Sequence, residues 1–186
     1  RTSDYHSVEA GEVCSATAIR AASARGDLSA AALGVPENAA FQIAEMAGAK
    51  RADELFLFAL RALGEAGIAL LPDATEGLEH RAAKAARKAA TREDFIARVK
   101  CKRYTYARIS RLAAHALIGL TARLAADYPA PRYLRLIGAR ADANDLLREL
   151  SRRASLPLVR AADLAGDPCF ALECRATDAW ALTRTA

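Results

Sequence analysis

Apolar residues along this chain recur every three to four positions, the period of helices that lay one face on a core. Ser15 reads as the N-cap of a helix running to about Arg25 and stopped by Gly26. Pro36 suits the first position of a second helix reaching about Ala49. Asp53 can cap a third, whose apolar stripe is Leu55, Phe56, Phe58, Ala59 and Leu63, ending near Gly67. Asp73-Ala74-Thr75-Glu76 has the form of a capping box, and Thr91-Arg92-Glu93-Asp94 is a looser version, so helices are expected from about 74 and 92. Thr105 caps the next, with Ile109, Leu112, Ala113, Ala116, Leu117 and Leu120 on one side.

After Pro129-Ala130-Pro131 the period changes. Tyr133-Leu134-Arg135-Leu136-Ile137 alternates like a short strand, Asp142 can cap a helix through Arg153, and Leu156-Pro157-Leu158-Val159 is a second strand signal. Strand, helix and strand within about 27 residues predict a small βαβ unit with parallel strands. The expected fold class is therefore mainly α: a helical domain followed by a small βαβ (α/β) C-terminal unit. The chain carries no internal repeat and no low-complexity linker.

Composition supports the helices. Among 186 residues there are 47 alanines but only 10 glycines and 6 prolines, which excludes an all-β sandwich and a disordered chain. No apolar run reaches the roughly 18 residues of a bilayer span, and no signal-peptide architecture opens the chain, so a soluble, cytoplasmic protein is expected. The chain begins Arg1-Thr2-Ser3-Asp4-Tyr5 without Met, as a piece of something longer would. Cys14, Cys101, Cys169 and Cys174 form no CxxC pair; they read as reduced structural cysteines, and no metal site is expected.

Charge changes the picture more. Residues 1–80 carry a net −6 and residues 112–186 a net +2, while residues 81–111 hold 11 basic against 2 acidic side chains, a net +9. A block of this kind is the electrostatic footprint of a surface that meets phosphates. Lys100, Lys102 and Arg103 precede a helix start, Arg108 and Arg111 share one face of that helix, and Tyr104 and Tyr106 interleave them. Such cations can track a nucleic-acid backbone while tyrosines stack on unpaired bases. The alternative reading keeps the tyrosines in the core and the cations in water. His115, one turn beyond Arg111, reads as structural.

A second candidate is Ser15-Ala16-Thr17-Ala18-Ile19-Arg20. Two hydroxyls and a guanidinium at a helix start, where backbone N–H groups point outward, suit a phosphate; an ordinary capped helix with a surface arginine is the alternative. The sequence has no GxxxxGK[ST], GxGxxG, HxGH or HExxH and no serine elbow, so no self-contained active site and no catalytic residue is expected in this chain.

Taken in order, Asp4-Tyr5-His6-Ser7, the Ser15–Arg20 stretch, Asp73-Ala74-Thr75-Glu76-Gly77-Leu78-Glu79-His80-Arg81 and Lys102-Arg103-Tyr104-Thr105-Tyr106-Ala107-Arg108-Ile109 make a series. It continues with Tyr133-Leu134-Arg135-Leu136-Ile137-Gly138, Leu156-Pro157-Leu158-Val159 and Arg175-Ala176-Thr177-Asp178. The series resembles the C-terminal half of the bacterial tRNA(Met) cytidine acetate ligases, a nucleotidyltransferase-like family, from about residue 4 to 182. The resemblance implies an enzyme that uses ATP to activate acetate as acetyl-adenylate and acetylates the wobble cytidine of elongator tRNA(Met). It implies further that the ATP-binding core, with its HxGH motif and magnesium, lies in an N-terminal domain of which this chain holds only the end.

On that resemblance residues 1–26 close the nucleotidyltransferase core, 27–128 form a helical, basic tRNA-binding region and 129–186 the βαβ unit with a C-terminal helix. Ser15, Thr17 and Arg20 match the family's second nucleotide-side motif, and Arg1 falls near its ATP-contacting arginine. Lys100, Lys102, Arg103, Tyr104, Arg108 and Arg111 match the tRNA-holding region. Two other readings remain open: a helical RNA-binding module without catalysis, and a nucleotidyltransferase relative acting on a small molecule.

Overall fold

Hydroxyl caps set the helix starts in the structure, a computed structural model that describes residues 15–27, 29, 34–36 and 49–183. Ser15 Oγ accepts the Ala18 N–H at 3.1 Å and opens α1 (Ala16–Ala24). Thr91 Oγ1 does the same for Asp94 N–H at 3.1 Å, opening α4 (Arg92–Val99), and Thr105 accepts from Arg108 N–H to open α5 (Tyr106–Ile118). Each hydroxyl satisfies one of the amides that a helix start leaves without a carbonyl. The remaining helices are α2 (Ala49–Ile68), α3 (Leu78–Lys88), α6 (Ala122–Asp127), α7 (Asn144–Arg153) and α8 (Pro168–Thr183), with one 3₁₀ turn at Ala161–Leu164. The described part of the molecule is mostly helical, as its composition predicts. No helix in it is long and apolar enough to cross a membrane.

Two compact units emerge, one of residues 1–52 with 180–186 and one of residues 53–179. In the first, Ala18 and Ala22 of α1 are fully buried. The second contains the main core: Leu57 and Leu60 of α2, Leu78, Ala82 and Ala86 of α3, Phe95, Ile96 and Val99 of α4, and Ile109, Leu112, Ala113 and Ala116 of α5. Alanine on the inner face of α3 lets neighbouring backbones come close, which suits a three-helix contact more than a large side chain would. Arg61 of α2 donates to the carbonyls of Ala86 and Ala89 at 2.8 and 2.7 Å and so satisfies two of the carbonyls that the end of α3 leaves open.

Several sequence expectations need correction. Asp53 lies inside α2 and does not cap it, because the helix already starts at Ala49. Gly64 breaks that helix with φ 60° and ψ −169°, a conformation open only to glycine. The Asp73–Glu76 stretch caps nothing. It is a turn in which Asp73 and Glu76 both take positive φ, and α3 begins only at Leu78, after a left-handed Gly77. Asp142 pairs with Arg140 at 2.7 Å, and the N-cap of α7 is Ala143. The helix expected from Pro36 lies largely outside the described residues.

The strands are shorter than the alternation suggested. β1 (Leu134–Arg135) and β2 (Leu158–Val159) pair in parallel, Leu134 opposite Leu158, with α7 between them in the chain. Side chains supplement so small a sheet. Arg135 pairs with Glu173 of α8 at 2.8 Å, Arg132 with Asp167 at 3.0 Å, and the Tyr133 hydroxyl donates to Glu173 at 3.1 Å.

Candidate nucleic-acid interface

The basic segment of the sequence spans α3, α4 and the start of α5, and the structure sorts its cations into two groups. One group is held by partners. Arg108 is only 19% exposed. Its guanidinium donates to the Asp73 carbonyl at 2.9 Å, to Thr75 Oγ1 at 2.7 Å and to the Glu76 carboxylate at 3.1 Å. Arg111 donates to the Asp73 carboxylate at 3.1 Å, Arg98 to Asp94 at 2.8 Å, and Arg92 to Ser110 Oγ at 2.7 Å. Arg108 and Arg111 therefore clamp the turn before α3, where two non-glycine residues need support for their positive φ.

Tyr104 belongs to the same clamp. Its ring is 5% exposed within the core, its hydroxyl donates to the Glu76 carbonyl at 2.5 Å, and the Arg108 guanidinium lies 5.4 Å from its centroid. A ring held this way has no free face for a base. The stacking expected of Tyr104 is thus corrected: the residue packs, and it orders the turn. Tyr106 is more open, but its hydroxyl donates to Glu93 at 2.9 Å, which raises its pKa. His115 is half-buried, its Nδ1 has no hydrogen-bond partner among the described residues, and burial lowers its pKa.

Lys84, Arg87, Lys88, Lys100, Lys102 and Arg103 form the second group. All are exposed, and none forms an ion pair among the described residues. Arg81, Lys84 and Lys88 recur along α3 at i, i+3 and i+7, opposite its buried alanines, so the helix presents one cationic face. With Arg98 of α4 they line a groove of about 340 Å³. A neighbouring hollow of about 570 Å³ is lined by Arg81, Lys102, Arg103, Cys101 and Tyr104. Arg81 borders both, which joins them into one cationic surface.

Cys101 lies in that hollow. Hydrogen bonds from the backbone of Tyr104 and then of Arg103, with the positive charges of Arg81 and Arg103, hold its thiol below the usual range. It is also exposed and free, as is Cys174, and Cys169 is free and half-buried; Cys14 lies outside the described residues.

Of the predicted nucleic-acid residues, then, Lys102 and Arg103 lie on the cationic surface, Lys100 is exposed at the end of α4, and Arg108 and Arg111 are committed to the turn. The sequence reading overlooked Arg81, Lys84 and Lys88 as named site residues, although their helical spacing and lack of acidic partners could have marked them. At the other candidate, Ser15 caps α1, Thr17 is half-buried and Arg20 is exposed along the same helix. These groups suit an anion. Arg1 lies outside the described residues.

Three comparisons with known proteins bear on this surface. The sequence pattern of a family described as HIGH nucleotidyl transferase matches residues 1–186. Among curated relatives, a tRNA(Met) cytidine acetate ligase of Levilactobacillus brevis is 36% identical over 151 residues, covering 80% of this chain and 39% of that protein. One from Lysinibacillus sphaericus is 31% identical over 111 residues, covering 60% and 28%. The chain thus spans well under half the length of the curated relatives it matches. A crystal structure of Thermotoga maritima TmcAL bound with alpha-thio ATP superposes with a TM-score of 0.80 at 22% identity, over 94% of this chain and 48% of that one. The apo form gives 0.74 at 25% identity, over 90% and 44%.

Proposed function

Because this chain belongs to the HIGH nucleotidyl transferase family, we propose that it is the tRNA-holding part of a tRNA(Met) cytidine acetate ligase. The observation that carries the reading is the cationic surface of Arg81, Lys84, Lys88, Lys102 and Arg103, whose lysines and Arg103 have no acidic partner. Like charges at i, i+4, as at Lys84 and Lys88, destabilise a helix slightly, and a row of them makes sense where an external anion supplies the compensation. RNA phosphates are such an anion. The curated relatives named for tRNA(Met) point the same way.

In this reading residues 1–26 close the nucleotidyltransferase core, 27–128 hold tRNA and 129–186 form the small C-terminal unit. Ser15, Thr17 and Arg20 bind part of the phosphate chain of ATP, a substrate of the reaction, and Arg1 lies near it. The base, ribose and magnesium fall to the upstream nucleotidyltransferase domain. Acetate there attacks the α-phosphate of ATP, pyrophosphate leaves and acetyl-adenylate forms; the exocyclic amine of the wobble cytidine of elongator tRNA(Met) then takes the acetyl group, losing a proton as AMP leaves. This chain contributes the hold on the tRNA in the cytoplasm, and no catalytic group of its own. An enzyme of the same family acting on a small molecule would have no use for the groove.

Filter binding of tRNA across a salt series tests the proposal. Each phosphate contact adds roughly 0.7–0.9 to the log–log slope. Changing Lys84, Lys88 and Lys102 together to Ala should flatten that slope by about two to three. Unchanged affinity and slope in the folded triple variant would show that the face is merely solvated.

A further inference from the structure

A separate cavity of about 430 Å³ opens beside the parallel strand pair. Leu136, directly after β1, and Leu158 and Val159 of β2 give it an apolar floor, with Leu147 of α7. It therefore sits where the two strands end, the place where open α/β arrangements collect ligands because the following loops diverge there. Its volume falls within the roughly 300–1,000 Å³ of small-ligand sites.

The rim has a definite chemistry. Asn144, Leu147, Arg148 and Ser151 follow at i, i+3, i+4 and i+7, so α7 turns a single face to the cavity. Neither the Asn144 carboxamide nor the Ser151 hydroxyl has a hydrogen-bond partner among the described residues. Arg160, the first residue past β2, forms no ion pair among them either. Arg148 pairs with Asp145 at 3.1 Å, but both side chains are more than 80% exposed, so that pair is readily exchanged for another anion. The carboxylate in the lining, Asp163, accepts the Arg160 backbone N–H at 2.8 Å and serves the turn.

A flat aliphatic floor, an amide and a hydroxyl at its side, and two guanidinium groups at the rim suit a planar heterocycle that carries an anion. We propose that this cavity takes one nucleoside monophosphate unit. The base lies on Leu147, Leu158 and Val159, its edge meets Asn144 and Ser151, and its phosphate meets Arg160 and Arg148. The unit is either an unpaired nucleotide of the RNA held on the cationic surface, in which case the inference rests on the reading above, or a free nucleotide.

Calorimetric titration of the full chain with cytidine and adenosine 5′-monophosphate and with a short single-stranded oligoribonucleotide distinguishes these sources. Arg160→Gln removes the phosphate contact and should weaken binding about tenfold, the loss typical of one charged hydrogen bond. Ser151→Leu fills the cavity without touching charge and should weaken it at least as much. If both variants lose the free monophosphates, a free nucleotide is the ligand; if they lose only the oligoribonucleotide, it is a nucleotide of RNA. Failure of the unaltered chain to bind any probe, or equal affinities in both folded variants, overturns the proposal. The pair Lys84→Ala and Lys88→Ala tests the other surface independently. Weakened oligoribonucleotide binding in that pair, with every probe bound unchanged by Arg160→Gln, would reject the cavity and keep the groove; weakened binding in Arg160→Gln with the pair unchanged would do the reverse.

Discussion

Replacing Arg108 by Ala separates a clamp from a phosphate contact. Arg108 is the best-connected cation of the basic segment, with bonds to the Asp73 carbonyl, Thr75 Oγ1 and the Glu76 carboxylate. The turn it holds places Asp73 at φ 66° and Glu76 at φ 62°, a region that costs roughly 1–2 kcal/mol for each side-chain-bearing residue. A hydrogen bond to a charged group contributes about 1.5–3 kcal/mol. The contact with the half-exposed Glu76 carboxylate adds little, about 0–1 kcal/mol, and the carbonyls released by the substitution can reach water. The expected net loss is about 2–3 kcal/mol. At about 2–4 °C per kcal/mol for a chain of this size, Tm should fall by roughly 5–10 °C. Thermal unfolding followed by circular dichroism measures it, with tRNA affinity of the folded variant measured alongside. Adding Glu76→Gly to Arg108→Ala should return about 1 kcal/mol, because glycine takes positive φ without penalty. A Tm unchanged to about 1 °C together with weakened tRNA binding would refute the clamp and return Arg108 to the phosphate-binding group.

Four further outcomes follow from the same structure. Tyr104→Phe should lower stability by about 1–2 kcal/mol through loss of the bond to the Glu76 carbonyl, while tRNA affinity in filter binding stays at the wild-type value. Bound tRNA should shield Cys101 from iodoacetate, since the thiol lies in the cationic hollow; an alkylation rate independent of tRNA would place the RNA elsewhere. Burial, then the Glu173 carboxylate, push the Tyr133 hydroxyl up to about 12 from an ordinary value of 10.0, so the folded state keeps a proton that the unfolded chain gives up. That contribution is fully present below pH 10 and is lost as pH rises toward 12, and Tyr133→Phe should remove this part of the alkaline loss seen in urea melts. On the proposed function, Arg20→Ala in a protein that carries the upstream nucleotidyltransferase domain should raise the ATP concentration needed for acetylation with tRNA affinity unaltered.

Local signals in the sequence translated well into structure where one short stretch decides the outcome. Ser15, Thr91 and Thr105 cap helices because a hydroxyl needs only an amide three residues ahead. Asp73-Thr75-Glu76 has the same local form and became a turn instead, because Arg108, some 35 residues further along the chain, binds those groups from outside. The basic segment shows the same division. Its net charge is visible in the sequence, but which cations are free depends on carboxylates and carbonyls brought in by folding. Tyr104 looked available beside Lys102 and Arg103, and only the closure of α5 against the Gly77 turn buries it. Lys84 and Lys88, by contrast, could be read from helical spacing alone.

The two lysines of α3 couple its stability to whatever anion the face would carry. Repulsion between Lys84 and Lys88 acts on α3 whenever the surface is bare, and any polyanion seated there relieves it, so the bound form is the harder one to open. Local opening of α3 would expose Ala82 and Ala86 and loosen their contacts with α4. On the proposed tRNA-holding reading, copies with RNA seated on this face would resist proteolysis longer than bare ones.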